Sequence, residues 1–258
     1  IYLDFGFGGE VFNEDSVFEF GVESGALVTI AIDEKPETQS CEISDASFLP
    51  VSKAYNVEVK CSDRQLFSDA LNQIPDENFK SCLSDKEHLY ADQVVGVSCS
   101  GKEIENVEGL GQFPLVMHLG LERNKLSVID LTGLTNLYSL YIGANNLIEL
   151  DVTRNLKLTN LRAPENKLVD VDLSNNLKLK NLWLVDNVIT SIDLSNNVDL
   201  ESVNISENSL VSLNVSNSPE LSYITLTGSD ITNIDLSFNS KLKYIWLDDN
   251  DLTDIKLG

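Results

Sequence analysis

Positive charge is scarce in this chain: 18 lysines and arginines stand against 41 aspartates and glutamates, a net charge of −23 over 258 residues. Nucleic acids and anionic membrane surfaces are bound through cation-rich patches, so this balance argues against both. It suits solubility in salty water or a basic partner. Histidine is scarcer still, with only His88 and His118. No HExxH pair, Gly-rich phosphate loop or nucleophile elbow occurs, so no catalytic residues, metal or cofactor are expected. No apolar run approaches the roughly 18 residues of a membrane helix, which argues against direct membrane insertion. The chain opens at Ile1 without Met or a basic, apolar leader, as a processed or truncated sequence would.

Cysteine is also sparse, and its placement is informative. Cys41, Cys61, Cys82 and Cys99 all precede the regular part of the chain. An even number there suggests two bridges formed in an oxidising compartment. Order alone chooses none of the three pairings; local structure favours Cys41–Cys61 and Cys82–Cys99. A zinc site is the rival, but it lacks CxxC spacing and has only His88 nearby.

Insertions and deletions are missing altogether from residue 129 onward, where the pattern repeats every 21 residues. Each unit starts on an aliphatic residue: Ile129, Leu150, Val171, Ile192, Leu213, Ile234 and Ile255. Further on it reads LxxLxLxxNxL, as in Leu137, Leu140, Ile142, Asn145 and Leu147. Period and pattern together identify a leucine-rich repeat. The LxL segment is a short strand with aliphatics inward and the residues between them outward. Stacked units form a parallel sheet on the concave face, and each unit needs neighbours to bury its apolar side.

Two polar columns accompany the aliphatics. Asn124, Asn145, Asn166, Asn187, Asn208 and Asn250 share one position, with Ser229 standing in once. A buried amide there can satisfy loop backbone in its own turn and the next. The shorter Ser229 predicts a looser turn. Asp130, Asp151, Asp172, Asp193, Asn214 and Asp235 form the other column, each two residues before a Ser or Thr. Such pairs shape a turn or short convex strand by bonding backbone amides. The competing calcium-ladder reading lacks a recurring Gly-containing loop.

The chain divides into residues 1–63, 64–96 and 97–258. In the first segment, alternation at 27–32, 40–43 and 55–61 predicts a small antiparallel sandwich. The stretch 28–62, with TQSCEIS and YNVEVKCSD, resembles a short disulfide-bearing immunoglobulin-like module of bacterial surface proteins and lipoproteins. The preceding Phe- and acid-rich residues either complete the sandwich or belong to a longer leading segment. In the second segment, Leu66, Phe67, Ala70 and Leu71 fall at helical spacing. Asp76 is placed to N-cap a second helix carrying Phe79, Cys82 and Leu83. These helices are expected to cap the array. Val97, Cys99 and Ile104 fit a degenerate first repeat, so a Cys82–Cys99 bridge would pin the cap to it.

IPDENFKSCL, VSCSGKEIENVEGLGQF and the IDLSNN units together resemble secreted bacterial leucine-rich repeat proteins of the 21-residue class, similar in architecture to internalins. That resemblance covers about 185 residues, from Leu71 on. It implies a secreted or bacterial surface protein, lipoprotein anchoring being one route, whose concave face serves adhesion or recognition. The chain departs from internalins in carrying its Ig-like module before the array.

Outward strand positions carry the functional reading. Between the aliphatics lie Tyr141, Arg162, Trp183, Asn204, Thr225 and Trp246, flanked by Tyr223 and Tyr244 on one side and Asp248 on the other. Trp, Tyr and Arg predominate at binding hot spots. Five aromatics on one face therefore point to recognition of an extracellular protein or a glycan, which residue types alone do not separate. In the glycan case Asn160, Asn181, Asn204 and Asp248 would receive hydroxyls. Strand preference of aromatics is the bland alternative, and a structural spacer holding other domains off a cell is the contrasting function. The last unit opens at Ile255 without a polar cap, which predicts a fragment or self-association through that end.

Overall fold

The computed structural model describes residues 65–84 and 88–258 in full, and before them the backbone of four strands. Contacts divide the chain into two units, Ile1–Gln65 and Leu66–Gly258.

In the first unit, β1 (Val17–Gly21) pairs antiparallel with β2 (Leu27–Ala31), and β3 (Gln39–Ala46) pairs antiparallel with β4 (Val57–Asp63). The Phe-rich segment therefore supplies a strand of its own. Register sets Cys41 opposite Cys61, with a shift between Ile43 and Asp45. The side chains of Cys41 and Cys61, and so the expected bridge, lie outside the described residues.

The second unit begins with α1 (Phe67–Asn72) and α2 (Glu77–Ser84). Leu66 is not part of the first helical face as its spacing predicts. It is 41% exposed, extended, and bridged to Tyr90. The second helix starts where expected: the Phe79 N–H donates to Asp76 Oδ1 at 2.9 Å, satisfying an orphan helix donor. Asp76 Oδ2 accepts from the N–H groups of Glu105 and Asn106 at 2.8 and 3.1 Å, which ties the helix start to the first repeat loop. Phe79 and Leu83 are fully buried in the same apolar core as Val97 and Leu119. Cys82 is bridged to buried Cys99, with Cα atoms 5.8 Å apart.

Beyond these helices the chain winds in successive turns. Strands β5 (Gly96–Ser98), β6 (His118–Gly120), β7 (Ser139–Tyr141), β8 (Asn160–Arg162), β9 (Asn181–Trp183), β10 (Ser202–Asn204) and β11 (Tyr223–Thr225) lie side by side. After β12 (Asn233–Leu236), β13 (Tyr244–Trp246) completes an eight-stranded parallel sheet. The final strand, β14 (Asp254–Leu257), pairs parallel with β12 on another side of the coil. Elsewhere the Asp–Ser/Thr segments stay as turns rather than strands.

The 21-residue period fixes register: Leu140 faces Leu161, Leu161 faces Leu182, Leu182 faces Val203. The step from Val97 to Leu119 is one residue longer. Within one turn Leu140, Ile142, Leu147, Val152 and Leu158 are fully buried, as are their equivalents in adjacent turns. The burial is continuous along the coil, so each layer is stable only against its neighbours.

The loop after each strand contains a residue in the left-handed region. Glu103, Arg123, Ala144, Glu165, Asp186, Glu207 and Asp249 have φ between 53° and 60°, and Gly228 has φ of 65°. The next residue in most of these loops is the column Asn. Asn145 Oδ1 accepts the Leu126 N–H at 3.0 Å, while its Nδ2 donates to Leu121 and Ile142 carbonyls, each at 3.0 Å. The bonds span two turns, as the pattern predicts. At Ser229 the short side chain leaves its buried Oγ without a partner.

Candidate ligand-binding face

The predicted site residues fall on one face because of register, not because the loops gather them. Tyr141 pairs with Arg162, Arg162 with Trp183, Trp183 with Asn204, Asn204 with Thr225 and Thr225 with Trp246. Two residues earlier, Ser202 pairs with Tyr223 and Tyr223 with Tyr244. With strands about 4.8 Å apart, neighbouring rings and planar groups are close enough to stack.

Two clusters result. At one, the Arg162 guanidinium lies between rings, 4.1 Å from the Trp183 centroid and 5.5 Å from that of Tyr141. Its Nε is buried without a hydrogen-bond partner, so the aromatic faces supply the main local contact for this cation. At the other, Tyr244 and Trp246 are stacked at 5.7 Å, and Tyr223 leans on both, at 6.3 and 5.0 Å. Tyr244 is 56% exposed and Trp246 40%. Among the described residues, no lysine or arginine lies over the rings of this second cluster. Asp248 and Asp249 are exposed beside it.

The polar residues of the face behave differently from the expectation that they stand ready for hydroxyls. Asn181 donates to Asn160 Oδ1 at 2.8 Å, and Asn160 donates to the hydroxyls of Thr159 and Ser139. Asn204 Oδ1 accepts the Ser206 N–H at 3.2 Å. In-register amides one strand apart satisfy one another first. Of the four residues named for that role, Asp248 alone keeps its side chain free of such a bond.

The Asp column lies away from this face. Asp130 Oδ1 accepts from the Thr132 hydroxyl at 2.6 Å and from its N–H at 2.9 Å, and Asp151 does the same with Thr153. These bonds hold the Asp130, Asp151, Asp172 and Asp235 carboxyls below their usual range, the hydroxyl bond contributing most. Among the described residues, no three His, Cys, Asp or Glu side chains gather as metal ligands would. No helix among them is long and apolar enough to cross a membrane.

Two features escaped the sequence reading. The Asn of the IDLSxN motif forms a second buried ladder, with Asn155, Asn176, Asn197 and Asn239 donating to carbonyls of the preceding turn. Its period was the available signal. The acidic loop edge at Glu165, Asp186, Glu207 and Asp249, held at positive φ, was also missed.

No family model matches the chain, and no curated protein does. Solved structures do. The functional domain of InlJ from Listeria monocytogenes, which includes a cysteine ladder, is 28% identical at a TM-score of 0.70, over 75% of this chain and 45% of that one. The fold is a leucine-rich repeat solenoid. A leucine-rich repeat protein of Leptospira interrogans is 20% identical at a TM-score of 0.59, over 65% of this chain and 49% of the other. An internalin, inlF, from Listeria monocytogenes is 17% identical at 0.51, over 73% and 77%. Its structural neighbours thus include bacterial internalin-like proteins, and the chain spans less than half the length of the first two.

Proposed function

We propose that this chain is a non-catalytic extracellular recognition protein, secreted or held on a bacterial surface, that binds through the exposed face of its eight-stranded sheet. The observation that carries this reading is the pair of aromatic clusters in register on that face. Tyr141, Arg162 and Trp183 form one, and Tyr223, Tyr244 and Trp246 the other, with Asn204 between and Asp248 at the margin. Rings this exposed raise the cost of contact with water and reward a partner that covers them. Similarity to InlJ and inlF supports the same reading. A leucine-rich repeat structure 21% identical to this chain comes from an octameric complex of Latrophilin 3, Unc5D and FLRT2, so the fold serves protein assembly elsewhere.

In this proposal the residues before the array have supporting roles. Helices α1 and α2 cover the apolar end of the first turn, held there by the Cys82–Cys99 bridge. The four N-terminal strands make an immunoglobulin-like module.

The test compares the wild-type chain with a Trp183→Ala/Trp246→Ala variant on a glycan array and a panel of extracellular proteins, with circular dichroism confirming equal folding. Binding lost in the folded variant is the expected result. Binding untouched by both substitutions moves the site off this face. If neither protein binds, the spacer reading takes over.

A further inference from the structure

We propose that the Tyr223–Tyr244–Trp246 cluster, with Asp248 and Asp249, receives an arginine or lysine side chain of an extracellular protein partner. This rests on the recognition reading above and names the chemistry of its ligand.

The first argument is an arrangement the protein already uses. Arg162 shows that this sheet seats a guanidinium against rings borne by the strands on either side of its own, 4.1 Å from one centroid. The second cluster gathers its rings more closely, at 5.0 to 6.3 Å, with Tyr244 and Trp246 on one strand and Tyr223 on the next, and among the described residues no cation lies over them. Its rings pack on one another, and Tyr244 and Trp246 keep about half of their surface open. An aromatic face attracts a cation through its quadrupole, and a desolvating partner strengthens that attraction.

Charge supplies the second argument, and it is graded along the coil. The early loops mix signs: Lys125 pairs with Glu103, and Arg123 and Lys167 lie nearby. From residue 185 on, the loops that follow the strands (185–191, 206–212, 227–233 and 248–254) contain no lysine or arginine. They contribute Asp186, Glu207, Asp230, Asp248, Asp249, Asp251 and Asp254. Lys243 lies at the opposite end of its strand, and Lys241 there is paired with Glu220. A cation over the rings would thus find carboxylates on the loop side without a competing internal base. The net charge of −23 draws the same class of partner from a distance.

The third argument is against the glycan alternative. Asn160 and Asn181 are bonded to each other, and Asn204 to its own loop. Besides the buried Thr225 hydroxyl, the groups this end presents are carboxylates and rings, which suit a cation better than a neutral sugar.

The test measures binding of the labelled peptide GRGRGRGR, with GKGKGKGK and GEGEGEGE as comparisons, by fluorescence anisotropy at about 150 mM salt, where long-range attraction is screened within about 8 Å. Wild type should bind the Arg and Lys peptides and not the Glu peptide. Tyr244→Ala/Trp246→Ala, which leaves net charge unchanged, should weaken binding at least tenfold. Asp248→Asn/Asp249→Asn should weaken it several-fold. Asp130→Asn/Asp151→Asn removes equal charge elsewhere and should stay within twofold. The proposal is overturned if wild type binds neither cationic peptide, or if the two charge pairs act alike while the ring pair has no effect. If cationic peptides fail but a ligand from the array or panel is lost in Trp183→Ala/Trp246→Ala, the recognition face stands and its cation chemistry falls. If such a ligand binds every variant equally, both fall together.

Discussion

Two columns of buried asparagine run through the repeat array with the same period and nearly the same burial, yet they perform different work. In the loop column, Asn166 Oδ1 accepts the buried Leu147 N–H at 3.0 Å, and its Nδ2 reaches carbonyls in two turns. In the IDLSxN column, Asn176 Nδ2 donates to the Val152 and Asn155 carbonyls, both at 3.0 Å, while its Oδ1 is buried without a partner. Those carbonyls already accept backbone N–H groups from Asn155 and Leu158. The first column answers a demand the backbone cannot meet itself; the second adds bonds to groups already satisfied. Burial and periodicity do not measure a residue's contribution. What its removal leaves unpaired does.

The largest effect should come from breaking the loop column. Asn166→Leu would strand the Leu147 N–H inside the core, at a cost of about 2–4 kcal/mol once the lost carbonyl bonds are included. A lowered urea midpoint, with hydrogen exchange at Leu147 accelerated ahead of distant turns, is the expected outcome. Stability equal to wild type would show that the backbone rearranges to find another acceptor.

Ser229→Asn runs the same comparison in reverse. Ser229 is the one member of the described column too short for the task, and its Oγ is orphaned. Asparagine there should restore the bonds seen at Asn208 and Asn250 and add about 1 kcal/mol. A fall in stability would mean that the turn around Gly228, whose Cα is covered by the Glu207 carboxylate, has closed over the smaller residue.

Asn176→Leu should change stability by less than about 1 kcal/mol, because it removes an orphaned oxygen together with redundant donors and is close to Asn in size. The chain already has Leu134 at this position in an earlier turn. A loss as large as that of Asn166→Leu would abolish the distinction between the columns.

The two columns look alike as sequence, which explains how far the sequence could be read. Strand positions, inward and outward sides and the aromatic register were legible because one period governs them all, and a single-residue slip would turn Leu140 or Leu161 outward. The loop asparagines were legible because a buried amide beside a turn has an evident use. The orphaned oxygens of the second column were not, since they depend on which backbone carbonyls a neighbouring turn has already paired. Nor were the left-handed residues: Glu165 and Glu207 disfavour φ near 55° and give no sign of adopting it. The stacking of Arg162 between Tyr141 and Trp183 needed side-chain positions that a column assignment only permits. The interlocked Asn160 and Asn181 show the opposite risk, a polar pair that looked available and was already engaged.

The Asp column makes the smallest prediction, because it sits in solvent. Asp172 has its carboxyl held below the usual value chiefly by the Ser174 hydroxyl and then by the Ser174 N–H at 2.9 Å, with Asp151 and Asp193 pushing the other way. A depressed folded value means that the contribution is present above the ordinary aspartate pKa of about 4 and is lost as pH falls through the lower folded value. Asn214 performs the same turn without a charge, accepting the Ser216 N–H at 3.0 Å. Asp172→Asn should therefore fold normally at pH 7, with a midpoint shift smaller than that of Asn176→Leu. Any advantage of wild type over the variant should fade as pH falls below about 4. Urea titrations of both proteins at pH 7, 4 and 3 check this. An advantage that grows as pH falls would reverse the sign and show that repulsion along the column, rather than its hydroxyl bonds, governs these carboxylates.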